Sequence, residues 1–230
     1  MYKARNKAMN SFSSYENLKA TREKSESKRI KENRNHEVLY FHKTDDPYSH
    51  LTIQFVEKLK EEYSVDLIPI LVGEENPDAL HEPDLYEKYC LEDVKRISSY
   101  YDVDFNGDSY PKKSLINKAN SILAATEPNN FIQIAKKVST HLWNNDEEEL
   151  SLLQKQFNSS MSKVSEVLSE GNKIRNDCDY YFGSAFYYEK ELYWGVDRLS
   201  YLEDRLTELG AKKSPSNESL APLSIKAPKK

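Results

Sequence analysis

Asp46-Pro47-Tyr48-Ser49 places a carboxylate, a phenol and a hydroxyl within one helical turn. Asp46 fits two roles. It can be a catalytic carboxylate, or a plain helix N-cap whose side chain accepts a free backbone N–H of the first turn. Ser49 and Tyr48 are the hydroxyls available for chemistry at the same point. His42 and His50 flank the loop, and an imidazole with a pKa of about 6.5 can serve as acid or base, although two histidines beside a loop are expected as ordinary surface residues. A second polar group, Gly195-Val196-Asp197-Arg198, opens the last helical pattern of the chain, with Asp197 as its expected N-cap and Arg198 placed to pair with a carboxylate. Cys90 and Cys178 are the only cysteines. Their separation matches no metal or redox spacing, and both are expected to be buried, inert thiols. No metal site is read from the sequence.

The elements that must hold Asp46 to Ser49 are legible on either side. Val38 to Phe41 is apolar throughout, as in a strand buried on both faces. Pro47 suits the first helical position, where no N–H is needed. Leu51, Phe55 and Leu59 then recur every fourth residue as one apolar stripe. Val65 to Val72 is a second apolar strand in which Pro69 argues for an edge or a bulge. Two apolar strands joined through a helix form a right-handed βαβ unit.

The rest of the chain is mostly helical. Residues 1–13 read as disordered, and a charged helix with little apolar content is expected from Ser14 to about Asn33, lying on the domain surface or docked elsewhere. Gly73 to His81 is a loop. Five helices follow: Leu85, Tyr89, Val94 and Ile97 mark the first; Leu115, Ala119, Ile122 and Leu123 the second; Phe131 to Leu142 the third. Asp146 to Glu149 opens the fourth, where acids suit the positive end of a helix. Val164, Val167 and Leu168 face inward from the fifth. Strands return at Ala185–Glu189 and Leu192–Trp194, joined by a tight turn that lacks the usual glycine or asparagine. Leu199, Leu202, Leu206 and Leu209 line the last helix, and Gly210 stops it. Trp143 and Trp194 are expected to anchor cores. The division that follows is a basic arm over 1–36, an α/β unit over 37–73 and 179–210, an inserted helical domain over 74–178, and a flexible tail or linker over 211–230 rich in Lys, Ser and Pro.

The 230 residues carry a net charge of −5, which offers no field for nucleic acid. The charge is uneven: residues 1–36 hold ten basic and four acidic side chains, so the arm is positive and the remainder negative. No run is apolar enough for a membrane span or a signal-peptide core, and a cytoplasmic location is expected. Sixteen tyrosines are the compositional oddity, with apolar faces and polar tips that suit the edge of a core.

With these motifs in place, "DDPYSHL" near the start and "YYEKELYWGVDRLSYLEDRL" near the end, the chain resembles the DsbA-like branch of the thioredoxin superfamily. Within that branch it resembles the 2-hydroxychromene-2-carboxylate isomerases and kappa-class glutathione transferases over about Ser14 to Gly210. The resemblance implies an α/β, thioredoxin-like (DsbA-type) fold with an all-helical domain inserted between the βαβ unit and the C-terminal hairpin and helix. It implies that Asp46 and Ser49 stand at the two cysteine places of Cys-x-x-Cys, so the redox site is degenerate. It places Ser184 and Ala185 in the segment where the family keeps a cis-proline, Ala185 being at the proline itself, with a trans peptide expected. Gly195, Asp197 and Arg198 match the family's Gly-x-Asp-Arg turn, which in glutathione-using members contacts the γ-glutamyl end. In relatives a second thioredoxin-like domain often follows such a tail.

The main expectation is a non-redox module that binds a ligand or a protein. The alternative is a glutathione-dependent transferase or isomerase, with glutathione as possible cofactor, Ser49 or Tyr48 in place of the usual serine, and Gly195, Asp197 and Arg198 holding the peptide. A thiol–disulfide exchange enzyme is disfavoured, because that reaction needs an attacking thiolate and a nearby partner.

Overall fold

A computed structural model describes residues 14–73, 82–213 and 218–223. The segment read as disordered, 1–13, lies outside the described residues, as does 74–81 of the loop after the second strand. The sheet is organised by β1 (His36–Lys43), where Val38, Tyr40 and Phe41 have no exposed surface. β1 runs parallel to β2 (Val65–Val72), from His36↔Val65 to Lys43↔Val72. On its other side it pairs antiparallel with β3 (Ala185–Tyr188), which in turn pairs with β4 (Glu191–Trp194). The order β2-β1-β3-β4 leaves Pro69 on an edge strand, where its missing N–H costs no ladder bond.

α2 (Pro47–Glu62) joins β1 to β2 and buries Leu51, Phe55 and Leu59. A helical block follows: α3 (Pro83–Ser98) with a 3₁₀ turn (Ser99–Tyr101), α4 (Lys113–Ala124), α5 (Pro128–Trp143), α6 (Glu147–Gln156) and α7 (Met161–Asp177). α5 packs on α2, while α7 packs along β2. That last contact depends on Gly171, because a Cβ there would fall 2.0 Å from the Leu71 carbonyl oxygen. The mixed α/β architecture is that of a thioredoxin-like protein with a four-stranded sheet. Among the described residues no helix is long and apolar enough to cross a membrane.

Several expectations need correction. On α3, Leu85 and Tyr89 are exposed, and the buried stripe runs through Cys90 and Val94. Tyr86, Cys90 and Val94 are spaced by four residues, so they form the stripe that meets α2. His42 and His50 are not surface residues: they are 1% and 3% exposed. Their rings face Phe131 and Phe105 respectively. Trp143 is buried as expected, whereas Trp194 is 38% exposed. The segment read as a flexible tail is anchored where it is described. Ser64 N–H donates to the Ala211 carbonyl at 2.7 Å and Lys213 N–H to Glu62 at 2.8 Å. Leu220 is fully buried, with its N–H on Glu203 Oε1 at 2.9 Å.

The charged helix α1 (Tyr15–Lys31), capped by Ser14, buries no residue. Charge holds it to the sheet: Arg22 grips Glu191 through Nε at 2.8 Å and Nη2 at 2.6 Å, and just beyond the helix Arg34 reaches Glu189 at 3.1 Å. Glu189 and Lys190 form the two-residue turn of the β3–β4 hairpin with φ of 45° and 73°. That is the left-handed geometry a tight hairpin demands, here taken by residues that pay a steric penalty for it.

Two outcomes follow from these features. Lys190→Gly relieves a left-handed, exposed position and should raise the melting temperature, by about 1 kcal/mol of stability; a drop on thermal denaturation would contradict the strain. Burial drives the His42 pKa down to about 3 and that of His50 to about 4. The unfolded chain titrates both near 6.5 and the folded one resists protonation, so stability is complete above about pH 6.5 and falls as pH drops toward those values. The loss is about 2 kcal/mol for each histidine at pH 5. Urea midpoints at pH 7 and pH 5 measure this, and His50→Gln should flatten the profile.

Candidate functional site

The first turn of α2 is built as a closed hydrogen-bond ring. Asp46 is the N-cap, its Oδ1 accepting from Tyr48 N–H at 3.1 Å and its Oδ2 from Ser49 N–H at 3.0 Å. The Ser49 hydroxyl donates to the same Oδ2 at 2.7 Å and accepts the N–H of Lys43, the last residue of β1, at 3.2 Å. Ser49 is 0% exposed. Its hydroxyl proton is committed to a carboxylate and its oxygen to the backbone, so it has neither access nor a free hydrogen with which to meet a ligand.

The segment before β3 closes over this turn. A Cβ on Gly183 would lie 2.6 Å from Cβ of Lys43, 3.0 Å from Ser49 Oγ and 3.1 Å from Asp46 Oδ2, so only glycine fits. Ser184, also 0% exposed, adopts a positive φ of 54° and exchanges a 2.8 Å hydrogen bond with Thr52 Oγ1. Its carbonyl accepts Gly195 N–H at 2.7 Å. Ala185 is buried, and no cis peptide bond occurs among the described residues.

Aromatic rings form the outer layer. Tyr86 stacks on Phe182 at 5.3 Å, Phe182 on Trp194 at 5.6 Å, and Tyr48 meets Trp194 edge-on at 5.6 Å. The Tyr48 hydroxyl donates to Asp93 Oδ2 at 2.8 Å. Burial first, then that bond, lifts the Tyr48 pKa well above the usual phenol range, so it stays a donor. Burial also pushes the Cys90 thiol up to about 12, with the Asp46 carboxylate adding to the effect, and leaves almost no thiolate at neutral pH. Cys178 is half-buried and likewise raised by burial.

Of the residues singled out from sequence, Asp46, Tyr48, Ser49, Ser184, Ala185 and Gly195 come together; Asp197 and Arg198 lie exposed at the edge, with Asp197 Oδ1 2.9 Å from where a Gly195 Cβ would stand. The last helix, α8 (Leu199–Glu208), is entered through a 3₁₀ turn (Val196–Arg198), and Asp197 makes no side-chain cap at either start, contrary to expectation. It points outward beside Arg198, with Nε 3.5 Å from Oδ2, and both are exposed. The tight entry, led by Gly195 at φ 80°, puts the helical N–H groups one turn further on. Gly183 lies in the segment matched before β3, whereas Thr52, Tyr86, Cys90 and Asp93 were not identified as members of this site. Only Thr52 carried a signal, since it follows Ser49 by three residues on one helix face.

No protein-family model matches the sequence, and no curated protein matches it either. Among solved structures the chain is similar to a 2-hydroxychromene-2-carboxylate isomerase, with 16% identity and a TM-score of 0.54 over 76% of this chain and 96% of that one. That likeness is one of fold.

The ring around Asp46 sets an expected result. Asp46→Ala removes the cap and strands Ser49 and two backbone N–H groups, so it should cost about 2 kcal/mol. Asp46→Ser, which still caps, should cost less. Denaturant titration of both variants measures the difference, and an unchanged midpoint for Asp46→Ala would contradict the geometry.

Proposed function

We propose that the protein is a thioredoxin-fold binding module that has left redox chemistry, taking a small ligand or a protein segment without exchanging disulfides. The observation that carries this reading is the state of Ser49: buried, donating to Asp46 and accepting from Lys43 at the place where a resolving thiol would stand. The high thiol pKa of Cys90 supports it further, because exchange needs a thiolate. The exposed edge of Trp194, beside Tyr48 and Phe182, offers a contact surface that needs no chemistry from the protein.

A glutathione-dependent transferase or isomerase is the second reading, and its support is the fold shared with the isomerase. It would place the γ-glutamyl end at Gly195, Asp197 and Arg198 and the thiol near Tyr48. Against it stands the exposed position of Asp197, beside Arg198. Cytoplasmic placement and a further thioredoxin-like domain in relatives remain part of the proposal and rest on sequence alone.

Titrating the full chain with glutathione under NMR observation separates the readings. The binding module predicts no amide shifts at Gly183, Ser184 and Gly195 up to millimolar glutathione, and no insulin reduction. Shifts there that vanish in Asp197→Asn would establish the glutathione reading instead. Turnover lost in Cys90→Ser would overturn the non-redox claim.

A further inference from the structure

Along α1 only Arg22, Ser25, Glu26 and Arg29 are partly covered, and every other residue of the helix is exposed. Their spacing, i, i+3, i+4 and i+7, is that of the stripe a surface helix normally fills with apolar side chains to meet its core. Here the stripe is polar. Glu26 and Arg29 satisfy each other at 2.6 and 2.9 Å, and Arg29 Nη1 donates to the Arg34 carbonyl at 2.7 Å, so both are spent within the arm. Arg22 crosses to the sheet, where its paired hydrogen bonds to Glu191 are largely covered from solvent.

Behind that clamp the seat is not packed. A cleft of about 470 Å³ separates α1 from α8, lined by Tyr15, Leu18 and Arg22 on one side and by Arg205, Glu208 and Leu209 on the other. Tyr15 and Leu18 stay exposed instead of closing it. Arg205 is buried between the two helices, yet its guanidinium is held loosely. Nη2 reaches the Arg22 carbonyl at 3.4 Å, Nη1 lies 3.7 Å from Glu208, and Nε has no hydrogen-bond partner. A buried donor left this way is a cost that the seated helix does not remove.

We propose that α1 is a releasable strap: charge keeps it closed, and when the charge is screened it opens as a unit and uncovers Arg205 on α8 and Glu191 on the β3–β4 hairpin. A 17-residue helix with no apolar face is marginal in water on its own, so α1 loses its helical structure when Arg22 lets go. The sheet and α8 rest on buried apolar side chains, on which screening does not act. Opening of α1 therefore costs less than global unfolding and belongs to the low-stability end of a protein's local openings. Ionic strength is the regulator, and a polar face of α8 is what it exposes. The strap uses none of the residues of the Asp46 ring and stands or falls apart from the binding-module reading.

The test is amide hydrogen exchange on the full chain, followed residue by residue in low salt and in about 1 M NaCl, where the screening length falls to about 3 Å. Protection across α1 should drop roughly tenfold or more in high salt, while β1 and β3 keep theirs. Arg22→Gln changes helix propensity little and should produce the same loss already in low salt, with a smaller further response to NaCl. Lys24→Gln, on the exposed side of the same helix, should change α1 protection by less than about twofold. Arg22→Glu should release the strap, and adding Glu191→Arg to it should restore most of the lost protection. That rescue separates a clamp from general damage to the hairpin. Exchange of α1 only together with β1, protection in Arg22→Gln equal to that of the unaltered chain, or equal losses in Arg22→Gln and Lys24→Gln would overturn the proposal.

Discussion

The hydrogen bond from Ser49 to Asp46 is the constraint around which this protein is arranged. It joins the end of β1, through Lys43 N–H, to the start of α2, through the two N–H groups that Asp46 caps. Because the ring is small and closely covered, the chain before β3 must approach it as bare backbone, and Gly183 is the consequence. Ser184 then turns through a positive φ to reach Thr52, and its carbonyl receives Gly195, which sets the entry to the last helix. One carboxylate thus fixes the relative positions of β1, α2, β3 and α8. Asp46 and Ser49 together form a structural knot.

That knot also explains the division of the surface. Outside the knot the protein presents stacked rings, with Tyr48 held by Asp93 and Cys90 kept protonated beneath them. Open polar volume lies instead at the ends of β1 and β2, where α7 can come close to the sheet because Gly171 has no side chain. The same close approach brings Asn172 and Arg175 to Gly73. Packing of a helix against an edge strand therefore protects that edge.

The strand–helix–strand unit, the N-cap at Asp46 and the edge position of Pro69 were readable because each rests on a local rule: apolar runs, capping chemistry, a missing N–H. Tertiary choices were not. The α3 pattern carries two competing stripes, Leu85–Tyr89 and Tyr86–Cys90–Val94, and only contact with α2 selects the second. His42 and His50 looked like surface residues because the helical block that buries them is distant in sequence: Phe131 belongs to α5, and Phe105 to the stretch between α3 and α4. Asp197 looked like a cap because its spacing was right, and the intervening 3₁₀ turn displaced it. The tail residues Leu220 and Ala221 gave no signal at all, since their anchor is a single buried carboxylate, Glu203.

A double-mutant cycle on Asp46→Ala and Ser49→Ala, read by urea unfolding, tests the structural role of this pair most directly. A hydrogen bond to a charged group is worth about 1.5–3 kcal/mol, so the coupling energy should lie in that range and the double variant should cost much less than the two single losses added. Additive losses, with a coupling energy near zero, would mean that the two side chains act independently, and the account of a structural knot at Asp46 and Ser49 would be wrong.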